Sequence, residues 1–247
     1  MNKISVCMAS YNGAPFIEKQ LSTILEQIKE DDEIIISDDG STDNTIDLIK
    51  EFKDPRIKLF RNTRGKNPIY NFENALQKAS GQYIFLSDQD NIWEKNKVSL
   101  LLEYLQSYDL VISDCSIIDG DDKVLFNSFF KQNNSRKGFV KNLYKNSYVG
   151  CCMAFNRFIL ERALPLPGKI PMHDWWIGLT AEMFGSSFFC MEKLVQYRRH
   201  ENNVSFFVGQ SRLGLKEKLN LRKNMIFPLF KAWINRYKMM PEYKREY

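Results

Sequence analysis

Apolar residues in this chain fall into short blocks bounded by turn residues, with helical spacing between the blocks. Residues 4–9 read as a first strand, broken by Tyr11-Asn12-Gly13. Residues 15–28 carry Phe16, Ile17, Leu21, Ile24, Leu25 and Ile28 at helical spacing. A second strand is expected at 33–37. Ser41-Thr42-Asp43-Asn44 then supplies capping residues for a helix over 45–52. A short strand at 57–60, a helix over 69–79 and a strand from Gly81 to Asp88 follow. Strand alternating with helix three times predicts βαβ units, a parallel sheet and right-handed crossovers.

The second half is less regular. The pattern predicts a helix over 93–107, a strand at 110–113 and a hairpin turn at 119–122. Residues 127–147 are polar and basic and read as a mobile loop. A strand at 149–155, a helix over 157–163, a loop over 165–171, a helix from 172 to 183 and a strand over 188–197 complete the pattern. There are no internal repeats and no low-complexity linker. Pro228 is expected to kink or split the helical tail into a pair of helices.

Composition narrows the class. A chain of 247 residues fits one large domain or two small ones, and buries enough surface to fold without staples. Cys7, Cys115, Cys151, Cys152 and Cys190 are odd in number and form no CxxC pair, which predicts buried reduced thiols in a reducing compartment. Residues 1–10 are too short for a secretory signal, and no stretch reaches the ~20 apolar residues of a membrane span. The expected setting is the cytoplasm. Charge is uneven: residues 206–247 carry a net +7, and the remaining 205 residues a net −2. A core that binds nucleic acid is therefore not expected. The division expected is 1–205 as the main domain and 206–247 as a basic, amphipathic helical extension. That extension suits either an anionic membrane surface, peripherally on the inner leaflet, or packing on its own domain or a second subunit.

The candidate chemistry lies where two apolar runs end. Residues 34–37 run into Asp38-Asp39-Gly40-Ser41, and residues 83–87 run into Asp88-Gln89-Asp90. In an open α/β sheet ligands bind beyond the carboxyl ends of the strands. Paired carboxylates there suit a divalent metal that carries a diphosphate, because hard cations take oxygen ligands.

These two acidic turns, in this order and after Ala9-Ser10-Tyr11-Asn12, resemble family 2 glycosyltransferases, inverting enzymes with a GT-A nucleotide-sugar-binding fold. The similarity covers residues 3–205. The match is closer to bacterial rhamnosyltransferase-like members, through residues 71–76, Leu86-Ser87-Asp88-Gln89-Asp90-Asn91-Ile92-Trp93, His173-Asp174-Trp175-Trp176 and residues 197–203. Asn91 departs from that subgroup, which often has Asp there. The resemblance implies an α/β, three-layer sandwich with a mostly parallel, Rossmann-like central sheet. It implies Asp39 as acceptor for the imide N–H of a pyrimidine base, with Tyr11 on the ring and backbone groups of Ala9 and Ser10 nearby. Asp90 is implied as ligand to Mg²⁺ or Mn²⁺, with Asp88 on the ribose or a metal-bound water. Arg64 and Lys66 are candidates for the diphosphate, Gly150 for close approach of donor and acceptor, and His200 for the metal. Asp174 is the implied general base, with Trp175 and Trp176 beside the acceptor sugar and His173 in support.

The expected activity is inverting transfer of one sugar from dTDP-rhamnose or a UDP-hexose to a hydroxyl of a growing, lipid-linked or free bacterial surface glycan. Two rivals remain. A sugar nucleotidyltransferase also sets carboxylates at strand ends, but usually has a glycine-rich, basic loop after strand one. A non-catalytic scaffold that binds nucleotide-sugar or glycan is the other.

Overall fold

The computed structural model describes residues 3–199 and 214–239. In chain order the first half holds β1 (Ile4–Ser10), α1 (Ile17–Leu25), β2 (Glu33–Asp38), α2 (Thr45–Glu51), β3 (Ile57–Arg61), α3 (Pro68–Lys78), β4 (Tyr83–Asp88), β5 (Ile92–Trp93) and α4 (Lys97–Tyr104). Then come β6 (Leu110–Ile118), β7 (Val124–Phe126), α5 (Phe129–Asn133), α6 (Phe139–Tyr144), a 3-10 turn (Gly150–Cys152), β8 (Met153–Asn156), α7 (Arg157–Ala163), α8 (His173–Phe184), β9 (Ser187–Arg198) and α9 (Leu215–Met239).

One sheet carries all the described strands, in the order β3-β2-β1-β4-β8-β6-β9-β5, with β7 on β6. Strands β1 to β4 are mutually parallel, and β6 and β9 share their direction across the antiparallel β8. The α/β, mostly parallel sheet expected from the pattern is thus observed. The order reverses after β3, so right-handed crossovers place α1 and α2 on one face and α3 on the other. Accordingly α1 touches α2, and α3 touches α8. β1, β2 and β4 are central and buried on both faces, which is why they read as continuous apolar runs.

Four expectations need correction. Residues 127–147 are not a loop: they hold α5 and α6. Their polar side chains serve the backbone there. Ser128 caps α5 by accepting from Lys131 N, and buried Asp114 accepts from Phe130 N and Ser128 Oγ. Residues 149–155 begin as a 3-10 turn and only then become a strand. Trp93 belongs to β5, paired with β9, and the helix after it starts only at Lys97. Finally, Pro228 lies inside one continuous helix, α9. Met225 and Leu229 flank it and are both buried against the core, so packing seats the helix on both sides of the proline and it is not split. The expected domain boundary at 205/206 lies outside the described residues. All five cysteines are buried and free. No helix among the described residues is long and apolar enough to cross a membrane.

Candidate active site

Strand register brings the two acidic turns together. Ala9 pairs with Ser37 on one side and with Asp88 on the other, so the ends of β2 and β4 flank the end of β1 at one edge. Within the first turn the two aspartates do different work. Asp38 is buried and consumed by the loop: Oδ2 accepts from Gly40 N and Ser41 N, each at 2.8 Å, and Oδ1 from Ser10 Oγ and Ser41 Oγ. Asp39 reaches the other way, to Asn62 Nδ2 at 2.5 Å and Asn67 N at 3.1 Å. Asn67 is set there by α3, which it caps by accepting from Ile69 N, with Pro68 at the first helical position. Burial raises the Asp39 carboxyl above its usual range even against the hydrogen bonds from Asn62 and Asn67.

Ser10 is less available than its sequence position implies. Its carbonyl already accepts from Asp39 N and Asn71 Nδ2. Tyr11 is exposed, with Lys66 Nζ 4.3 Å over its ring and donating to its hydroxyl at 2.7 Å. Arg64 turns away to pair with buried Glu73 and lies 4.2 Å from the Tyr70 ring centre, so its charge is engaged within the protein rather than offered to a diphosphate.

The middle residue of the second turn was missed from sequence. Gln89 accepts from Tyr11 N at 2.9 Å and donates to Tyr11 O at 3.0 Å, locking the β1 loop to the β4 turn. Gly13 makes room for it, since a Cβ there would sit 2.2 Å from Gln89 Oε1. The signal was alternation: Asp88 and Asp90 share one side of the extended turn, so Gln89 faces the other. Asn91 also gains a reason. Its amide stands 3.4 Å from Asp88 Oδ2, and its carbonyl oxygen accepts from Arg198 N. A carboxylate at 91 would face Asp88 with like charge. Buried Arg198 further donates to Asp90 O and to the carbonyls of Asp119 and Gly120, and pairs with Asp122. His200 lies two positions on, outside the described residues.

Asp174 sits in the first turn of α8, where a carboxylate is favoured by the helix N-terminus. Oδ1 accepts from Trp175 N at 2.6 Å and Oδ2 from Gly150 N at 3.1 Å. Gly150 packs closely here: a Cβ would lie 3.1 Å from His173 Nε2 and 3.5 Å from Asp174 Cβ. Burial pushes the Asp174 carboxyl up to about 6, opposed by these N–H donors. Asp88 rises to about 7, through burial first and then the charges of Asp90 and Asp174. Asp88 thus feels the charges of Asp90 and Asp174, and a divalent cation with diphosphate oxygens in its shell would relieve that repulsion. Among the described residues no group of three or more His, Cys, Asp or Glu is arranged to hold a metal unaided.

His173 supports Asp174 by packing and not by a hydrogen bond. Its ring stacks on Phe72 with centroids 3.8 Å apart, its nitrogens have no partner, and burial drives it down to about 3, so it is neutral. Trp175 and Trp176, expected beside an acceptor sugar, pack inward. They are 8% and 3% exposed, and their indole N–H groups donate to Asn142 O and Ala163 O. Their apolar area is spent on the core.

Sequence reading also missed Lys97. It is wholly buried at the start of α4, with Nζ 3.7 Å from the Trp93 ring centre and donating to Cys151 O at 2.6 Å. It therefore clamps the turn that presents Gly150 N to Asp174. Burial lowers it to about 8, against the pull of Cys152, Cys151 and Asp88.

Known proteins are similar to this chain in sequence and in fold. Residues 5–164 match the model for glycosyl transferase family 2. A dTDP-rhamnosyl transferase, RfbG, from Shigella flexneri is 29% identical over 250 residues, covering 88% of this chain and 82% of that one. The UDP-Glc:alpha-D-GlcNAc-diphosphoundecaprenol beta-1,3-glucosyltransferase WfgD from Escherichia coli is 28% identical over 209 residues, covering 82% and 79%. Among solved structures, S. aureus TarS 1-349 in complex with UDP superposes with a TM-score of 0.65 at 18% identity, over 80% of this chain and 60% of that one. The fold is therefore that of the GT-A-like structure of TarS.

Proposed function

Because the chain belongs to glycosyl transferase family 2, we propose that it is an inverting enzyme that moves one sugar from a pyrimidine nucleotide diphospho-sugar to a hydroxyl of a bacterial surface glycan. One observation carries this reading: Asp174, held by Gly150 N and Trp175 N, lies near enough to Asp88 for its charge, after burial and that of Asp90, to help raise the Asp88 carboxyl to about 7. Inversion needs one base, placed on the acceptor side of the anomeric carbon, and a leaving group whose charge is neutralised.

In this mechanism Asp39 accepts the N3–H of the base, and Tyr11 stacks on its ring, with Lys66 drawn from Tyr11 toward the diphosphate. Asp90 would hold Mg²⁺ or Mn²⁺, with Asp88 on the ribose or a metal-bound water, and the ion would supply charge to neutralise the departing diphosphate. Asp174 takes the proton from the acceptor hydroxyl as its oxygen attacks. The ionised base is held in place by two backbone donors, so little reorganisation accompanies the step. The names of the relatives support dTDP-rhamnose first and a UDP-hexose second as donor, and a diphospholipid-linked saccharide as acceptor.

Purified protein incubated with dTDP-rhamnose or UDP-glucose, Mn²⁺ and a saccharide diphospholipid tests this. The expected result is an inverted glycoside from one donor, lost in Asp174→Asn. Calorimetry with the matching nucleotide diphosphate is expected to show metal-dependent binding that Asp90→Ala abolishes. Tight nucleotide-sugar binding without product, across the acceptor panel, would favour the scaffold reading. Equal metal-dependent affinity in Asp90→Ala would remove the assigned metal ligand.

A further inference from the structure

Helices α6 and α9 are far apart in the chain and meet in the fold. Buried Met225 and Leu229 seat α9 on the core, and Arg222 donates to Tyr144 O with its guanidinium 5.2 Å from the Tyr144 ring centre. This docking leaves a set of large apolar side chains facing water. On α6 Val140 is 77% exposed and Tyr144 76%. On α9 Ile226, Phe227, Phe230 and Trp233 are exposed, with the Phe230 and Trp233 rings stacked. Scattered exposed apolar residues are ordinary, but a cluster joining two elements marks an interaction surface.

Charge says what covers it. Residues 123–156, which contain α6, hold six Lys or Arg and no Asp or Glu. Leu215–Met239 holds seven basic residues and one acidic residue, Glu217. Arg136, Lys137, Lys145, Lys216, Lys223 and Lys231 are all exposed. A second copy of the chain would bring the same positive sign and repel. A nucleic acid would answer the charge and leave the aromatic and aliphatic side chains in water. An anionic bilayer answers both, with apolar side chains at the acyl boundary and ammonium groups among the phosphates.

We propose that the joint α6–α9 face is where this protein lies on an anionic lipid bilayer. No residue assigned to the transferase site lies on this face, so the face stands or falls apart from the reading above. The face is nonetheless tied to that site, since Asn142 of α6 accepts from the indole N–H of Trp175, next to Asp174.

Flotation of the full chain with vesicles of phosphatidylglycerol and phosphatidylcholine in equal parts, and of phosphatidylcholine alone, tests the proposal. Wild type is expected to float with the anionic vesicles only, and less as salt rises. Charge reversal at Lys216 and Lys223 is expected to weaken partitioning by about fivefold or more per residue. Phe230→Ser with Trp233→Ser is expected to weaken it roughly tenfold or more, and Val140→Ser with Tyr144→Ser to weaken it as well. All are surface changes, so melting temperature and nucleotide binding, read with UDP and dTDP, should hold. Trp233 gives a local readout: it is 47% exposed, whereas Trp93, Trp175 and Trp176 are buried, so a blue shift on adding anionic vesicles reports its insertion. Absence of flotation, equal flotation on phosphatidylcholine, or a dimer that the Phe230 and Trp233 changes dissociate would each overturn the proposal. Unchanged flotation of the Val140 and Tyr144 variant would overturn the two-helix face.

Discussion

Two backbone donors favour an ionised Asp174, yet burial raises it to about 6. A base must be ionised to accept a proton, so transfer should fall about tenfold per pH unit below about 6 and level off above it. Asp174→Asn should lower turnover by ~10²–10⁴ while nucleotide affinity, read by calorimetry, survives. The linkage has the opposite sign for stability. The native value lies above the ordinary 3.8, so the fold is favoured while the group is protonated and loses stability as pH rises from about 3.8 to about 6. Asp174→Asn should remove this pH dependence, read by melting curves between pH 3.8 and 6, while leaving one of the two N–H donors without an acceptor, which offsets the relief of the buried charge. Lys97 acts through the neighbouring turn. Its hydrogen bond to Cys151 O is stronger in the charged form, which is lost above about 8. Lys97→Met should lower kcat with donor affinity kept, and should remove an alkaline limb near pH 8 from the rate profile. A profile identical to wild type would leave Lys97 with a packing role only.

Strand β2 shows how an element is held from below while its upper end serves the site. Glu33 opens it, buried, and accepts from Ser5 Oγ at 2.6 Å and from Ser80 N and Oγ. Its other oxygen meets Lys58 at 2.6 Å and Lys3 at 3.4 Å. One carboxylate thus joins β1, β2, β3 and the α3–β4 connection. Burial alone would raise it, but the bonds from Lys58, Ser5 and Ser80 win and draw it down to about 2. Its contribution is complete above the ordinary 4.5 and is lost as pH falls toward 2. Glu33→Gln should cost about 2–4 kcal/mol at neutral pH, since Lys58 and Lys3 lose their partner. Denaturant titration at several pH values would check it: the variant's penalty should shrink between pH 4.5 and 2.

The described residues form one sheet flanked by helices, with α9 docked beside α6, and α9 has two faces. One buries Met225 and Leu229, and the other exposes the aromatic set. A chain ended before Gly214 should therefore lose stability as well as the lipid-facing surface. Burial of two such side chains stabilises by roughly 1.5–3 kcal/mol each, less what the remaining core recovers by relaxing. A melting curve of the shortened chain should show a clear drop. An unchanged midpoint would mean that the contacts of Met225 and Leu229 carry no net energy.

Much of this protein could be read locally. Strand ends at Asp38 and Asp88, the helix Arg157–Ala163 and the capped start of α3 follow from apolar period and turn chemistry, which depend only on near neighbours. The family resemblance followed from the same turns. Facing and partnership did not. Asp38 and Asp39 are adjacent and chemically alike, and only the hydrogen bonds tell them apart, the first holding its own loop and the second reaching Asn62 and Asn67. Trp175 and Trp176 have the composition of a sugar wall, but the partners at Asn142 and Ala163 draw both inward. Lys97 looks like a surface cation until α4, β5 and the Gly150 turn enclose it. The basic stretch at 127–147 looks solvated until its asparagines and Asp114 are seen to satisfy buried backbone. Local pattern sets where the backbone runs, because period and caps are short-range. Which side chain a group meets depends on contacts between residues distant in the chain, and those exist only once the sheet has closed.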